Sequence, residues 1–151
     1  MTRVADEYRA LLFVDFDGVL HPTHNAGQDN FCRLPLLESV LREHPAVGVV
    51  ISSSWRHHYA FDELCRYFAD DIRARIVGMT RSVEESGARN RHDEIADYLR
   101  VSWERRPYVV LDDSRFEFPR GWPHVVFCDS KVGFDAAVAA ELAVRLRRLV
   151  G

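Results

Sequence analysis

Four aspartates stand where apolar runs stop. Asp15 and Asp17 follow "LLFV" in "LLFVDFDG", and Asp112 and Asp113 follow "VVL" in "PYVVLDDS". A carboxylate taken out of water without a partner is costly, or it takes up a proton. Residues i and i+2 of a strand point to the same side, so Asp15 and Asp17 face one site while Phe16 turns away. Gly18 then lets the chain turn sharply or pass close to a ligand. These carboxylates, gathered together, repel one another unless a cation joins them. A hard divalent ion with oxygen ligands removes the conflict, and Mg²⁺, commonly held by a few carboxylates plus a phosphate, is the expected cofactor. The run "VVISSSW" adds hydroxyls at Ser52, Ser53 and Ser54.

Each fragment alone has an ordinary reading. A DxD pair is a common strand end, "SSSW" a helix cap and "DDS" a turn. An EF-hand loop fails on spacing: with Gly18 sixth, its first and twelfth positions are Phe13 and His24. His21, His24, His57 and His58 lack a cysteine or a third histidine at zinc-ligand spacing. The joint pattern, with every polar piece at the end of an apolar run, points to one site.

Apolar runs alternate with amphipathic segments, which sets the elements that must position these residues. Short continuous runs at "RALLFVD", "AVGVVISSS", "RARIVGMT", "PYVVLDDS" and "HVVFCDS" read as buried strands. Helical spacing appears in "LPLLESVLREH", in "AFDELCRYFAD" through Phe61, Leu64, Cys65 and Phe68, and in "RHDEIADYLR". It returns in "DAAVAAELAVRLRRLV", with Asp135 as N-cap and Val138, Leu142, Leu146 and Leu149 as the inner face. The expected fold is α/β: a mostly parallel sheet of about five strands with helices on both faces. Ligands bind beyond the carboxyl ends of such strands, where the polar residues sit.

The chain has 151 residues, suited to one domain over 1–151, with 47% apolar and 28% charged residues and a net charge of −3. That balance argues against a general nucleic-acid surface without excluding a local basic groove. Cys32, Cys65 and Cys128 are odd in number and form no CxxC, so a reduced cytoplasmic setting is expected. The amino terminus does not read as a signal peptide, and no run approaches the roughly 18 apolar residues of a membrane span.

The motifs "DFDGVL", Ser52 after "VVI", Arg91 opening "RHDEIADYL", and "VVLDDS" come in the order and spacing of the haloacid dehalogenase (HAD) superfamily of phosphohydrolases, which the chain resembles over about residues 10–135. "ISSSWR" with "RHDEI" and "LDDS" is most similar to a small bacterial branch whose relatives occur in RNA-repair proteins. The resemblance implies a Rossmann-like three-layer sandwich and a Mg²⁺-dependent phosphatase. It implies Asp15 as nucleophile forming an aspartyl-phosphate, and Asp17 as general acid and base whose backbone carbonyl reaches the metal. Ser52 would bind a phosphoryl oxygen, helped by Ser53 and Ser54, and Arg91 would neutralise the phosphoryl group. Asp113 is the first choice for direct metal ligand, with Asp112 beside it or behind it; the sequence does not order them. The superfamily's usual third-motif residue is lysine, and Arg91 is preferred to Lys131 on chain order.

The intervals between motifs hold no full cap domain, so the expected site is open, covered at most by the 19–33 loop or a second subunit. The substrate is phosphorylated, with nucleotide or nucleic-acid ends an option by analogy. Trp55 and Arg56 either contact substrate or serve packing and an ion pair. Trp103, Trp122, Phe116 and Phe118 read as packing residues. The alternative is a non-catalytic or receiver-like phosphoacceptor domain; a receiver, however, does not carry DxD on its first strand with the basic residue ahead of the second acidic pair.

Overall fold

The computed structural model describes residues 7–24 and 30–151. The expected strands form at β1 (Ala10–Val14), β2 (Val47–Ile51), β3 (Ile76–Met79), β4 (Tyr108–Asp112) and β5 (Val125–Phe127). All are parallel, in the order β3-β2-β1-β4-β5. The helices are α1 (Leu34–Arg42), α2 (Phe61–Cys65), α3 (Asp70–Arg73), α4 (Val83–Ser86), α5 (Arg91–Val101) and α6 (Ala136–Val150).

Strand alternation divides the core in two. Leu12, Val14, Val49, Ile51 and Leu111 face one way and pack with Leu37 and Leu41 of α1, Leu64 of α2, Ile72 of α3, and Leu142 and Leu146 of α6. Leu11, Phe13, Val50 and Val110 face the other way, against Ile95, Tyr98 and Leu99 of α5. Both strand faces are covered, which is why the strands are apolar throughout rather than alternating. The result is the three-layer Rossmann-like sandwich.

The chain leaves β1 toward β2 and β3, then crosses back to β4 on the other side of β1. The strand order therefore reverses between β1 and β4, where α/β sheets open a crevice at their carboxyl ends. Val14 pairs with Leu111, and the Asp15 N–H donates to Leu111 O at 3.1 Å. That register sets Asp15 beside Asp112.

Three local expectations change. The segment 60–70 is not one helix: α2 stops at Cys65, and the Arg73 guanidinium collects the carbonyls of Cys65, Arg66 and Phe68 at 3.2, 3.3 and 3.0 Å. The Ala69 N–H, at the start of α3, donates to Glu38 Oε2 at 2.6 Å. α4 is an additional element, nucleated by a Ser82–Glu85 capping box and ended by Gly87 in the left-handed region. The packing expectation holds for Phe118 and Trp122, which stack at 5.3 Å, and fails for Trp103 and Phe116. Trp103 is 79% exposed at a left-handed turn after α5, and Phe116 is 100% exposed. Asp135 does cap α6, its Oδ1 accepting the Val138 N–H at 3.0 Å. Among the described residues no helix is long and apolar enough to cross a membrane.

Candidate active site

Asp15 leaves β1 and is 5% exposed. Its Oδ1 accepts the Phe16 N–H at 2.8 Å and lies 3.2 Å from Arg91 Nη1. Asp112 ends β4 and is 1% exposed. Its Oδ1 accepts the N–H groups of Asp113 and Ser114 at 2.8 and 2.9 Å, and its Oδ2 accepts Arg91 Nη1 at 2.9 Å. Each Asp112 oxygen thus already has a protein donor. Asp15, Asp112 and Asp113 each offer a carboxylate oxygen within 4.8 Å of the others, and among the described residues this is the group with metal-ligand spacing. No histidine or cysteine belongs to it. The donors are all oxygen, which fits a hard cation such as Mg²⁺; the Cys and His ligands of structural zinc sites are not among them.

Gly18 has φ +75°, and a Cβ there would stand 2.0 Å from Asp113 Oδ2. Only glycine both adopts that backbone and leaves room for the Asp113 carboxylate. The glycine of the DxDG run is therefore the seat of an acid 95 residues away in sequence (113 − 18).

Arg91 is the first residue of α5, its N–H held by Glu117 Oε1 at 2.7 Å. A cation at a helix amino terminus opposes the helix dipole. The surrounding acids reverse the balance: Nη1 meets Asp15 and Asp112 and donates to Ser52 O at 2.7 Å, while Nε lies 3.2 Å from Glu94 Oε1. Burial works against its charge, but Asp15, Asp112 and Glu94 outweigh burial and raise its pKa. Burial pushes the Asp15 carboxyl well above the usual carboxylate range; Arg91 opposes this, and Asp112 and Asp113 reinforce it. Asp112 is pushed up to about 6, chiefly by burial and against the pull of Arg91. One arginine does not offset three clustered acids. Lys131 is exposed and, among the described residues, makes no ion pair, so Arg91 is the cation beside Asp15.

Ser52 follows β2, and its N–H donates to Val14 O at 2.8 Å. Its Oγ is buried without a hydrogen-bond partner. A buried hydroxyl in that state is costly, and Arg91 Nη1 donates to the carbonyl of the same residue. Ser53 is occupied differently: its Oγ accepts the Trp55 N–H at 3.2 Å and caps the 3₁₀ turn Ser54–His57. Ser54 is exposed.

Of the two readings of Arg56, substrate contact or an ion pair, the structure shows the ion pair. Its side chain is 3% exposed and turned inward, with Nη2 2.5 Å from Glu94 Oε2 and Nη1 2.9 Å from Ser53 O. Glu94 therefore links Arg56 to Arg91, and Arg56 braces the site from behind.

The Asp17 carboxylate lies outside the three-acid group. Its Oδ1 accepts Trp55 Nε1–H at 3.1 Å and meets His21 Nε2 at 2.8 Å. The Phe31 N–H donates to His21 Nδ1 at 3.2 Å, so Nδ1 is an acceptor and the ring proton sits on Nε2, facing Asp17. His21 and Trp55 were not expected in these positions; their only sequence signal is proximity to the motifs. Of the 19–33 loop, residues 25–29 lie outside the described residues. Its far end folds in beside the site, with Phe31 edge-on to Phe16, His21 and Trp55 and stacked on Tyr67 at 4.1 Å.

No curated protein and no solved structure matches the chain. A family model described as "HAD domain in Swiss Army Knife RNA repair proteins" matches residues 11–139, a span that takes in β1 but for Ala10, the crevice and all four acidic positions. With that span matched, the chain belongs to this family of small HAD domains.

Proposed function

We propose that the protein is a Mg²⁺-dependent phosphomonoester hydrolase that works through a phosphorylated Asp15. The observation that carries this reading is the asymmetric holding of Asp15. Phe16 N–H and Arg91 both meet Oδ1, which leaves Oδ2 as the attacking oxygen. Asp15 and Asp113, with Asp112 adjoining, would hold the metal, together with the Asp17 backbone carbonyl. When bound, the ion offsets the charge of the carboxylates and of the phosphoryl group.

The chain's own residues supply the rest. Asp15 Oδ2 bonds to phosphorus as the bond to the leaving oxygen breaks, and Asp17 gives that oxygen a proton. Water then attacks the phosphorus of the aspartyl-phosphate. Its proton passes to Asp17, the bond to Asp15 breaks, and phosphate leaves. Two easier displacements replace one slow one. Arg91 and Ser52 Oγ bind non-bridging phosphoryl oxygens, where preorganised donors act most strongly in a site shielded from water. Trp55 and His21 fix Asp17 by Oδ1 and leave Oδ2 for proton transfer.

The test is phosphate release from a generic aryl phosphate, with Mg²⁺ and with chelator. Release that needs the metal and is lost in Asp15→Asn supports the reading; unchanged release by Asp15→Asn rejects it.

For the substrate we propose phosphate-ended nucleotides or nucleic acids. The support is the family description, which names RNA repair proteins. Comparison of phosphate-ended oligonucleotides with sugar phosphates decides it, and equal turnover of the two would remove it.

A further inference from the structure

The segment after β4 carries side chains that packing leaves unused. It runs from Asp113 through a 3₁₀ turn, Arg115–Glu117, to β5. Phe116 in that turn is 100% exposed, three residues from Asp113. Arg115 lies over the Phe127 ring, 4.4 Å from its centroid, and not against an acid. Among the described residues neither Arg115 nor Arg120 forms an ion pair. Together with Trp122, these residues line a groove of about 1040 Å³ whose wall includes Asp113. That is just above the roughly 300–1,000 Å³ of small-molecule sites. A small phosphate ester would leave most of it empty.

The groove's chemistry is an exposed aromatic ring with two arginines that, among the described residues, form no ion pair with an acid. Single-stranded nucleic acid is bound by that combination, with bases stacking on aromatic rings and cations following the backbone. We infer that this groove, lined by Asp113, Arg115, Phe116, Arg120 and Trp122, holds the single-stranded polynucleotide next to the terminal phosphate. Phe116 stacks on the base, and Arg115 and Arg120 meet the adjoining phosphodiester. A groove at one edge of the sheet also reconciles strand binding with a net charge of −3, since only local charge is required. The inference builds on the phosphatase reading, because it names what that site's substrate carries beyond its phosphate.

The test separates the two. Binding is measured without turnover, by fluorescence anisotropy of labelled single-stranded pentanucleotides with a 5′- or 3′-phosphate. The protein is Asp15→Asn in an otherwise intact chain. Adding Phe116→Ala is expected to weaken binding roughly 5- to 150-fold, the range of one base–aromatic stack. Adding Arg120→Ala is expected to weaken binding and lower the slope of log affinity against log salt by about 0.7, one phosphate contact on a single strand. Trp103→Ala, at the opposite end of the strands, tests for a general effect of lost exposed aromatics and leaves binding unchanged. Phe116 is wholly exposed, so its loss does not threaten folding. In the turnover assay, the ratio of kcat/KM for oligonucleotide over glycerol phosphate falls in Phe116→Ala. If oligonucleotides bind no tighter than glycerol phosphate, or both groove variants bind like their parent, the groove inference fails while Asp15-dependent turnover still stands. If binding depends on Phe116 but no phosphate is ever released, the groove stands and the phosphatase reading fails.

Discussion

Gly18 lies so close against Asp113 that a methyl group on Gly18 would stand 2.0 Å from the Asp113 carboxylate. Gly18→Ala therefore does two things. It strains a left-handed backbone by roughly 1–2 kcal/mol, and it displaces the Asp113 carboxylate from the three-acid group. The expected result is a folded protein by circular dichroism that binds Mg²⁺ at least about tenfold more weakly by calorimetry. Phosphatase activity falls with it.

Arg91 meets Asp15, Asp112 and Glu94 and the Ser52 carbonyl with one guanidinium. Arg91→Ala leaves clustered acids buried without their cation, and such losses cost about 3–5 kcal/mol. Urea unfolding at neutral pH is expected to show a loss of that order. Arg91→Lys restores charge without the planar fork, so it recovers part of the stability and less of the activity.

The carboxylate cluster sets a pH dependence in the metal-free protein. A carboxyl with a raised folded pKa binds protons more tightly when folded, so stability falls as pH rises. For Asp112 the window runs from its ordinary value of 3.8 to about 6, and Asp15 adds to it in the same direction. With chelator present, Asp15→Asn should melt higher than the parent at about pH 7.5, and the gap should close near pH 4. Millimolar Mg²⁺ should raise the parent's melting point and not the variant's. Scanning calorimetry at both pH values checks each sign.

Asp17 is positioned by Trp55 and His21, both on Oδ1. Hydrogen bonds to a charged group contribute about 1.5–3 kcal/mol. Trp55→Phe removes one while keeping an aromatic ring, and His21→Phe removes the other. Each is expected to lower kcat roughly tenfold or more with KM little changed. The larger effect should fall on esters with poor leaving groups, which depend most on a proton from Asp17. Steady-state kinetics across aryl and alkyl phosphates checks the split.

Much of the site was legible because its pieces are local. An apolar run that ends in aspartate defines a strand and the end that carries the chemistry. Gly18 after DxD marks a backbone that other residues resist, and Asp135 before an apolar helix face marks a cap. These patterns determined that the strands are parallel, that helices cover both faces, and that Asp15, Ser52 and Asp112 lie at one rim. Only the tertiary structure decided the pairings. Strand order put β1 beside β4, and register then set Asp15 against Asp112. That placement lets Arg91 serve both acids, which chain order favoured over Lys131 without establishing. The structure also turned Arg56 inward to Glu94, joined Trp55 to Asp17 and left Phe116 in solvent. Periodicity reports which face of an element is apolar. It says nothing of which side chain, 38 positions away, completes a carboxylate's hydrogen bonds, because that depends on how separate elements dock.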